Sequence, residues 1–202
     1  MGIQHNQDVS RLTEKAVLEA GIGQLERLVW HAKWKVEKFN SHGDLKNVPR
    51  ELWPAPDEVV EGEGNMLMYG GASCLWECLE GNGTGTGGQV LTFFNNANAY
   101  IGVGNSAAAE VATQNDLQGA SKDRQVMEAT YPIHTDGEVN GADDVVYRSV
   151  WGSGEGEFAW AEWGVFNGST GGRMLNRKVA ALGTKGAGAT WTLTVTLSLG
   201  AA

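Results

Sequence analysis

Trp191-Thr-Leu-Thr-Val-Thr-Leu-Ser-Leu199 alternates apolar and hydroxyl side chains over nine residues. Successive side chains of an extended chain point to opposite faces, so this period of two predicts a half-buried β-strand. Trp191, Leu193, Val195, Leu197 and Leu199 share one face; Thr192, Thr194, Thr196 and Ser198 share the other. Nothing in the stretch is arranged for reaction chemistry. The signals upstream of it, back to Gln89, are also β. Short strands are expected over 90–94, 99–103, 124–130, 144–151, 157–166 and 173–181, with the last over 189–199. Several are separated by Asp-Gly, Asn-Gly or Gly-Gly turns. Residues 105–123, Ala-rich and polar, read as a long excursion. Seven short antiparallel strands without crossover helices predict a mainly β fold, an antiparallel β-sandwich of the jelly-roll or immunoglobulin-like kind.

N-terminal α-helices and an extended linker are expected to precede this sandwich. Residues 8–39 read as helical, with Asp8 or Ser10 as the cap and a break at Gly21 and Gly23. Ile22, Leu25, Val29, Ala32, Val36 and Phe39 are spaced three and four apart, as on a narrow helical seam. Trp30 and Trp34 form an i,i+4 pair on a different face. A helix apolar on two faces needs two surfaces to pack against, its own domain and a neighbouring subunit. Residues 40–64 hold Pro49, Pro54 and Pro56 around Trp53 and read as a linker over a surface. Asn65 can cap a second helix over 66–79, ended by Gly81-Asn-Gly83. The domain division expected is 1–64, a helix and extended anchoring arm, and 65–202, a sandwich with a leading helix. Ile22, Leu25, Val29, Trp30, Trp34, Val36, Phe39 and Trp53 are the expected anchor or subunit contacts.

The chain has 202 residues, eight Trp, 29 Gly and a formal charge of −9. Residues 1–50 hold eight basic against six acidic side chains, 51–144 two against fifteen, and 145–202 five against three. An acidic middle lacks the basic face that nucleic acid demands. No apolar run is long enough for a membrane helix, and no leader peptide is visible at the N-terminus. Cys74 and Cys78, one helical turn apart, read as reduced packing residues, a poor geometry for a disulfide or a zinc site.

No motif points to catalysis or a cofactor. Gly102-Val-Gly104 lacks a third glycine at position 107 and a surrounding βαβ unit, so it reads as strand-end turning. The loop from Asp136 ends on Tyr147 where a calcium loop needs a bidentate Glu. A looser cation site could draw only on Asp136, Asp143 or Asp144. Glu155, Glu157 and Glu162 could be offered as a glycosidase pair, but Glu157 and Glu162 alternate to opposite faces of one strand. In Phe158-Ala-Trp-Ala-Glu-Trp-Gly-Val-Phe166, alternation puts Phe158, Trp160, Glu162 and Phe166 together and Trp163 and Val165 opposite. A carboxylate on an aromatic face must be paired or wet. Arg177 is the expected partner of Glu162, in a structural ion pair.

Tyr100-Ile-Gly-Val-Gly-Asn-Ser-Ala-Ala-Ala-Glu110, with 113–117, resembles the opening of a module common in tailed-bacteriophage structural proteins. The resemblance continues through 148–154, Glu162-Trp-Gly-Val-Phe166, Leu175-Asn-Arg-Lys178, Leu182-Gly-Thr-Lys185 and the final strand, covering roughly residues 89–199. It implies a virion component assembled in the host cytoplasm that binds other virion proteins and carries out no reaction. A head-associated, decoration or minor capsid role is favoured over a tail or tail-fibre one, since no long heptad region is present. A homo-oligomer, trimer or ring, is the expected state. The alternative is a receptor- or carbohydrate-binding module for a host surface glycan. That reading requires Trp151, Trp160 and Trp163 to form an exposed platform, and their burial would count against it.

Overall fold

The computed structural model describes residues 28–80 and 92–201. In chain order the elements are β1 (Leu28–Phe39), a 3-10 turn (Arg50–Leu52), β2 (Glu58–Glu63), β3 (Met66–Leu67), α1 (Tyr69–Glu80), β4 (Tyr100–Gly104) and β5 (Lys122–Val126). They continue as β6 (Ile133–His134), β7 (Asp144–Trp151), β8 (Ala159–Phe166), β9 (Met174–Thr184) and β10 (Thr190–Ala201). The fold is mainly β, with two five-stranded antiparallel sheets in the orders β2-β1-β10-β7-β6 and β3-β9-β8-β4-β5. No helix among the described residues is long and apolar enough to cross a membrane.

The stretch quoted first lies within β10, between β1 and β7. Its register sets Trp191 opposite Trp151 and Leu193 opposite both Ser149 and Val36. Trp191, Leu193, Val195 and Leu197 are buried in one core with Ala32, Trp34, Val36, Tyr147 and Trp151 of the same sheet. Ile101, Val103, Trp163, Val165 and Leu175 of the other sheet enter the same core. Two sheets sharing one apolar core are consistent with a β-sandwich. Trp160 bridges them, its ring 4.8 Å from Trp151 and 4.8 Å from Trp191, both edge-on. Each such contact is worth about 0.5–1.5 kcal/mol beyond its buried area.

The helix expected through residue 39 is corrected. Residues 28–39 form β1, hydrogen-bonded to β10 from Phe39↔Thr190 to Leu28↔Ala201. Ala32, Trp34, Val36 and Lys38, all buried, recur every second residue, and Phe39 is buried at the strand's end. The rest of the expected helix, with Ile22 and Leu25, lies outside the described residues. The linker is corrected in part, since its residues 58–63 form β2, antiparallel to β1 from Lys38↔Glu58 to Lys33↔Glu63. Residues 28–63 therefore supply two strands of a sheet whose other strands come from beyond residue 64. Further along, 66–67 pair with β9 as β3 and the helix starts at Tyr69. Residues 92–94 carry no strand, and 90–91 lie outside the described residues.

One side of α1 meets the second sheet closely. Gly71 is buried, and a methyl group there would collide with the Leu175 backbone. Cys74 is also buried and burial pushes its thiol up to about 11, with the neighbouring Cys78 adding to the shift, so it is a poor nucleophile at neutral pH. Both cysteines are free, but Cys78 is exposed, which corrects the reading of the two as buried packing residues.

Candidate functional site

The outer face of the second sheet, away from the core, has glycine at its centre. Gly102 of β4 pairs with Gly164 of β8, and Gly164 with Arg177 of β9. One step along, Gly104 pairs with Glu162 and Glu162 with Val179. A methyl group on Gly102 would lie 2.9 Å from the Phe166 ring, and one on Gly104 would lie 2.5 Å from the Glu162 carboxylate. The Gly-Val-Gly run thus serves close approach within a strand. The space over the glycines is filled by Phe166, Leu117, Met68 and Met174, a second small apolar cluster.

Over this face runs the segment between β4 and β5. Its ends are joined where Asn105 and Ser121 exchange hydrogen bonds of 3.1 and 3.0 Å. A loop whose ends meet and whose own side chains pack beneath it is an Ω-loop. It is fixed from below by Glu162 and Arg177, both fully buried. The Arg177 guanidinium donates to Glu162 from Nε and lies 2.7 Å from it at Nη2. Nη1 donates to the Ala109 carbonyl (3.2 Å) and Gln114 Oε1 (2.9 Å), and Nη2 to the Ala108 carbonyl (2.9 Å). Glu162 also accepts from the backbone N–H of Gln118 (3.1 Å) and Gly119 (2.6 Å). An arginine has five donor hydrogens and a carboxylate about four acceptor positions. All three guanidinium nitrogens and both carboxylate oxygens have partners here.

Two further ties hold the loop. Asp116 meets Lys122 at 2.6 Å and Arg124 at 2.8 Å. Burial pushes the Asp116 carboxyl up, but the hydrogen bonds from Lys122 and Arg124 outweigh this and hold it below the ordinary range. Arg124 stacks 3.5 Å from the Phe166 ring centroid and donates to the Gly168 and Gly171 carbonyls. Glu110 accepts the Val179 N–H at 2.6 Å, and the Ala112 carbonyl accepts the Tyr69 N–H at 2.9 Å, which joins the loop to α1.

The structure therefore brings Glu162 and Arg177 together. It does so on a face that strict alternation misplaces. A register shift between Trp160 and Glu162 turns Trp160 inward beside Trp163, while Glu162 and Phe166 point outward. Trp151, Trp160 and Trp163 are all buried, so the surface platform expected of them is corrected. Among the expected anchor contacts, Trp34, Val36 and Phe39 are buried within the chain, and this too is a correction. Trp53 packs edge-on against Phe39 at 5.1 Å, under the Arg50 guanidinium. Val29 and Trp30 are half-buried. Glu155 is held by Lys46 at 2.5 Å, and Glu157 accepts the Gly154 N–H. Among the described residues no group of three or more His, Cys, Asp or Glu could hold a metal ion.

A second feature is an apolar groove of about 390 Å³ where α1 lies against the ends of β1 and β10. Trp30, Leu67, Leu75, Trp76, Leu79 and Leu199 are among the side chains lining it. The loop contacts of Gln114, Asp116, Gln118 and Gly119 escaped the sequence reading, because they depend on how an aperiodic segment folds back. The one available signal was Asp116-Leu117, within the resemblance. No known protein family, characterised protein or solved structure matches the chain.

Proposed function

We propose that the chain is a non-enzymatic structural component of a tailed-phage virion, head-associated or decorating the capsid, with its sandwich exposed. A jelly-roll or immunoglobulin-like grouping of the strands belongs to the same proposal. So does a homo-oligomeric ring or trimer bound to other virion proteins. The part left to serve as an attachment arm is residues 1–27, since β1 and β2 tie both ends of 28–63 into the sheet.

One observation carries the reading. Four of the separate pieces of sequence that resemble the phage module, 100–110, 113–117, 162–166 and 175–178, meet at one place: Gly104, Ala108, Glu110, Asp116, Leu117, Glu162 and Arg177 form the glycine-floored, ion-paired support of the Ω-loop. All three guanidinium nitrogens of Arg177 and both carboxylate oxygens of Glu162 are bonded inside the fold. Residues used in this way serve a rigid particle better than a reaction, which needs groups free to meet a substrate. The test is to purify particles of the phage that encodes the chain, identify their proteins by mass spectrometry, and label them with gold-tagged antiserum. Label on the head is the expected outcome. Label confined to the tail would move the assignment, and absence of the chain from particles would overturn it.

A further inference from the structure

We propose that the segment preceding β1 docks on its own domain, with Leu18, Ile22 and Leu25 seated in the groove between α1 and the ends of β1 and β10. The groove is an exposed apolar feature of the described residues that the fold itself does not use. Trp76 is 63 % exposed, Leu79 76 % and Leu199 42 %, and together they edge the pocket lined by Trp30, Leu67 and Leu75. Three large apolar side chains held together in water mark a surface that something covers.

The chain's own course identifies the occupant. β1 starts at Leu28 and Trp30 already lines the groove, so the segment preceding β1 is tethered beside it. Leu25 stands five positions before Trp30, at most about 18 Å of extended chain. A tether that short gives an effective concentration on the order of millimolar, which a separate partner must match by affinity. Leu18, Ile22 and Leu25 are large apolar residues spaced four and three apart in the sequence, enough to fill an apolar groove of this size. Val9, Leu12 and Ala16 form a second set with the same spacing. That set stays available to a neighbouring subunit. The docked segment would then be a fixed connector rather than a loose tail. The inference concerns the isolated chain and does not depend on the virion reading.

The experiment is hydroxyl-radical footprinting of the full chain, with light scattering on the same samples. Leu52, 69 % exposed and away from the groove, is the internal reference. In the monomeric wild-type chain, Trp76 and Leu79 should be labelled several-fold less than Leu52 once intrinsic reactivity is corrected. Ile22→Asp with Leu25→Asp should raise both to the level of Leu52 and increase binding of an apolar dye. A control pair, Gln4→Asp with Gln7→Asp, should leave both protected. Near-ultraviolet circular dichroism from the buried Trp cluster checks that each variant is folded. Equal labelling of Trp76, Leu79 and Leu52 in the wild type would overturn the proposal without reference to any variant. So would protection that appears only at concentrations where the mass doubles, since a second copy would then be the occupant.

Discussion

The two sheets turn their outer faces to different surroundings, although both follow from the same kind of alternation. On the first sheet, Lys33 and Lys35 stand in register with Glu63 and Glu61 on one side and with Thr196 and Thr194 on the other. These six side chains line a shallow open depression of about 490 Å³. On the second sheet the outward carboxylate and guanidinium, Glu162 and Arg177, are fully buried beneath the Ω-loop. The same chemical types are a solvated fringe in one place and the centre of a sealed network in the other. An outward-facing polar residue is thus not the same as a wet one. What decides is whether the loop above has backbone groups to offer.

The sharpest way to break this comparison is to remove one member of the buried pair. Arg177→Met leaves the Glu162 carboxylate without its cation in a dry site and should lower stability by about 3–5 kcal/mol. Chemical denaturation measures the loss, and hydrogen exchange should show Gln118 and Gly119 deprotected first. The double variant Glu162→Leu, Arg177→Met removes both charges and should recover much of that loss. If the double variant is as unstable as the two single losses added together, the two side chains act separately and the account of the site is wrong.

A smaller effect is expected from the glycine floor. Gly104→Ala would place a methyl group against the Glu162 carboxylate and should destabilise by about 1–3 kcal/mol, as overpacking does. Gly186→Ala, which meets no atom within 4 Å, should change stability by no more than about 0.5 kcal/mol. Equal effects at the two positions would mean that the carboxylate can shift, and that the outer face of the second sheet is less rigid than its bonding implies.

How much of this was legible varies with the physics of each segment. Residues 144–151 are read correctly because β7 is bounded by turn residues and has a strong β composition. Residues 28–39 are misread because Ala32 and Val36 are four apart, a spacing that satisfies a period of two as well as one of 3.6. Trp30, Ala32, Trp34 and Val36 together fit only the period of two. The face of Glu162 is misread because the shift beside Ala161 carries no Gly or Pro to announce it. The pairing of Glu162 with Arg177 could still be foreseen, since a carboxylate among aromatics needs a cation whichever way the strand turns. The loop that completes the site could not be foreseen. Residues 105–121 have no period, and their carbonyl and N–H groups, which any sequence would offer, do the bonding.

Acid should separate the two faces more gently. The Asp116 pKa lies below its ordinary value in the folded chain, so its ties to Lys122 and Arg124 are fully in place near neutral pH. They are lost as pH falls through the depressed value, because the carboxyl then takes up its proton. Glu37, Glu77 and Asp57 are also held below their ordinary values, so the wild-type acid response is a composite. The Asp116 part is the difference from Asp116→Asn, whose loop amides should lose less protection between neutral pH and about pH 3. Identical acid profiles at Gln118 and Gly119 in the two proteins would remove Asp116 from the set of groups that hold the loop.

The smallest effect belongs to the open face, and it tests the comparison from the other side. Lys35 is 3.3 Å from Glu37 with 43 % of its side chain exposed, and Glu61 stands in register with it across the strand pair. Water solvates Lys35 and Glu61 whether or not the neighbour is present, and Glu37, 15 % exposed, keeps the Arg50 guanidinium at 2.9 Å when Lys35 is removed. Holding a long side chain in one rotamer also gives back most of the attraction. Lys35→Ala should therefore shift stability by about 0.5 kcal/mol or less, and the shift should fade as salt shortens the screening length toward ~3 Å. A loss comparable to that of Arg177→Met would require Lys35 to be as desolvated as Arg177, and something would then have to cover the first sheet as the Ω-loop covers the second. The contrast between the faces rests on Lys33 and Lys35 having no such cover among the described residues, so this quiet substitution limits the comparison as firmly as the large one.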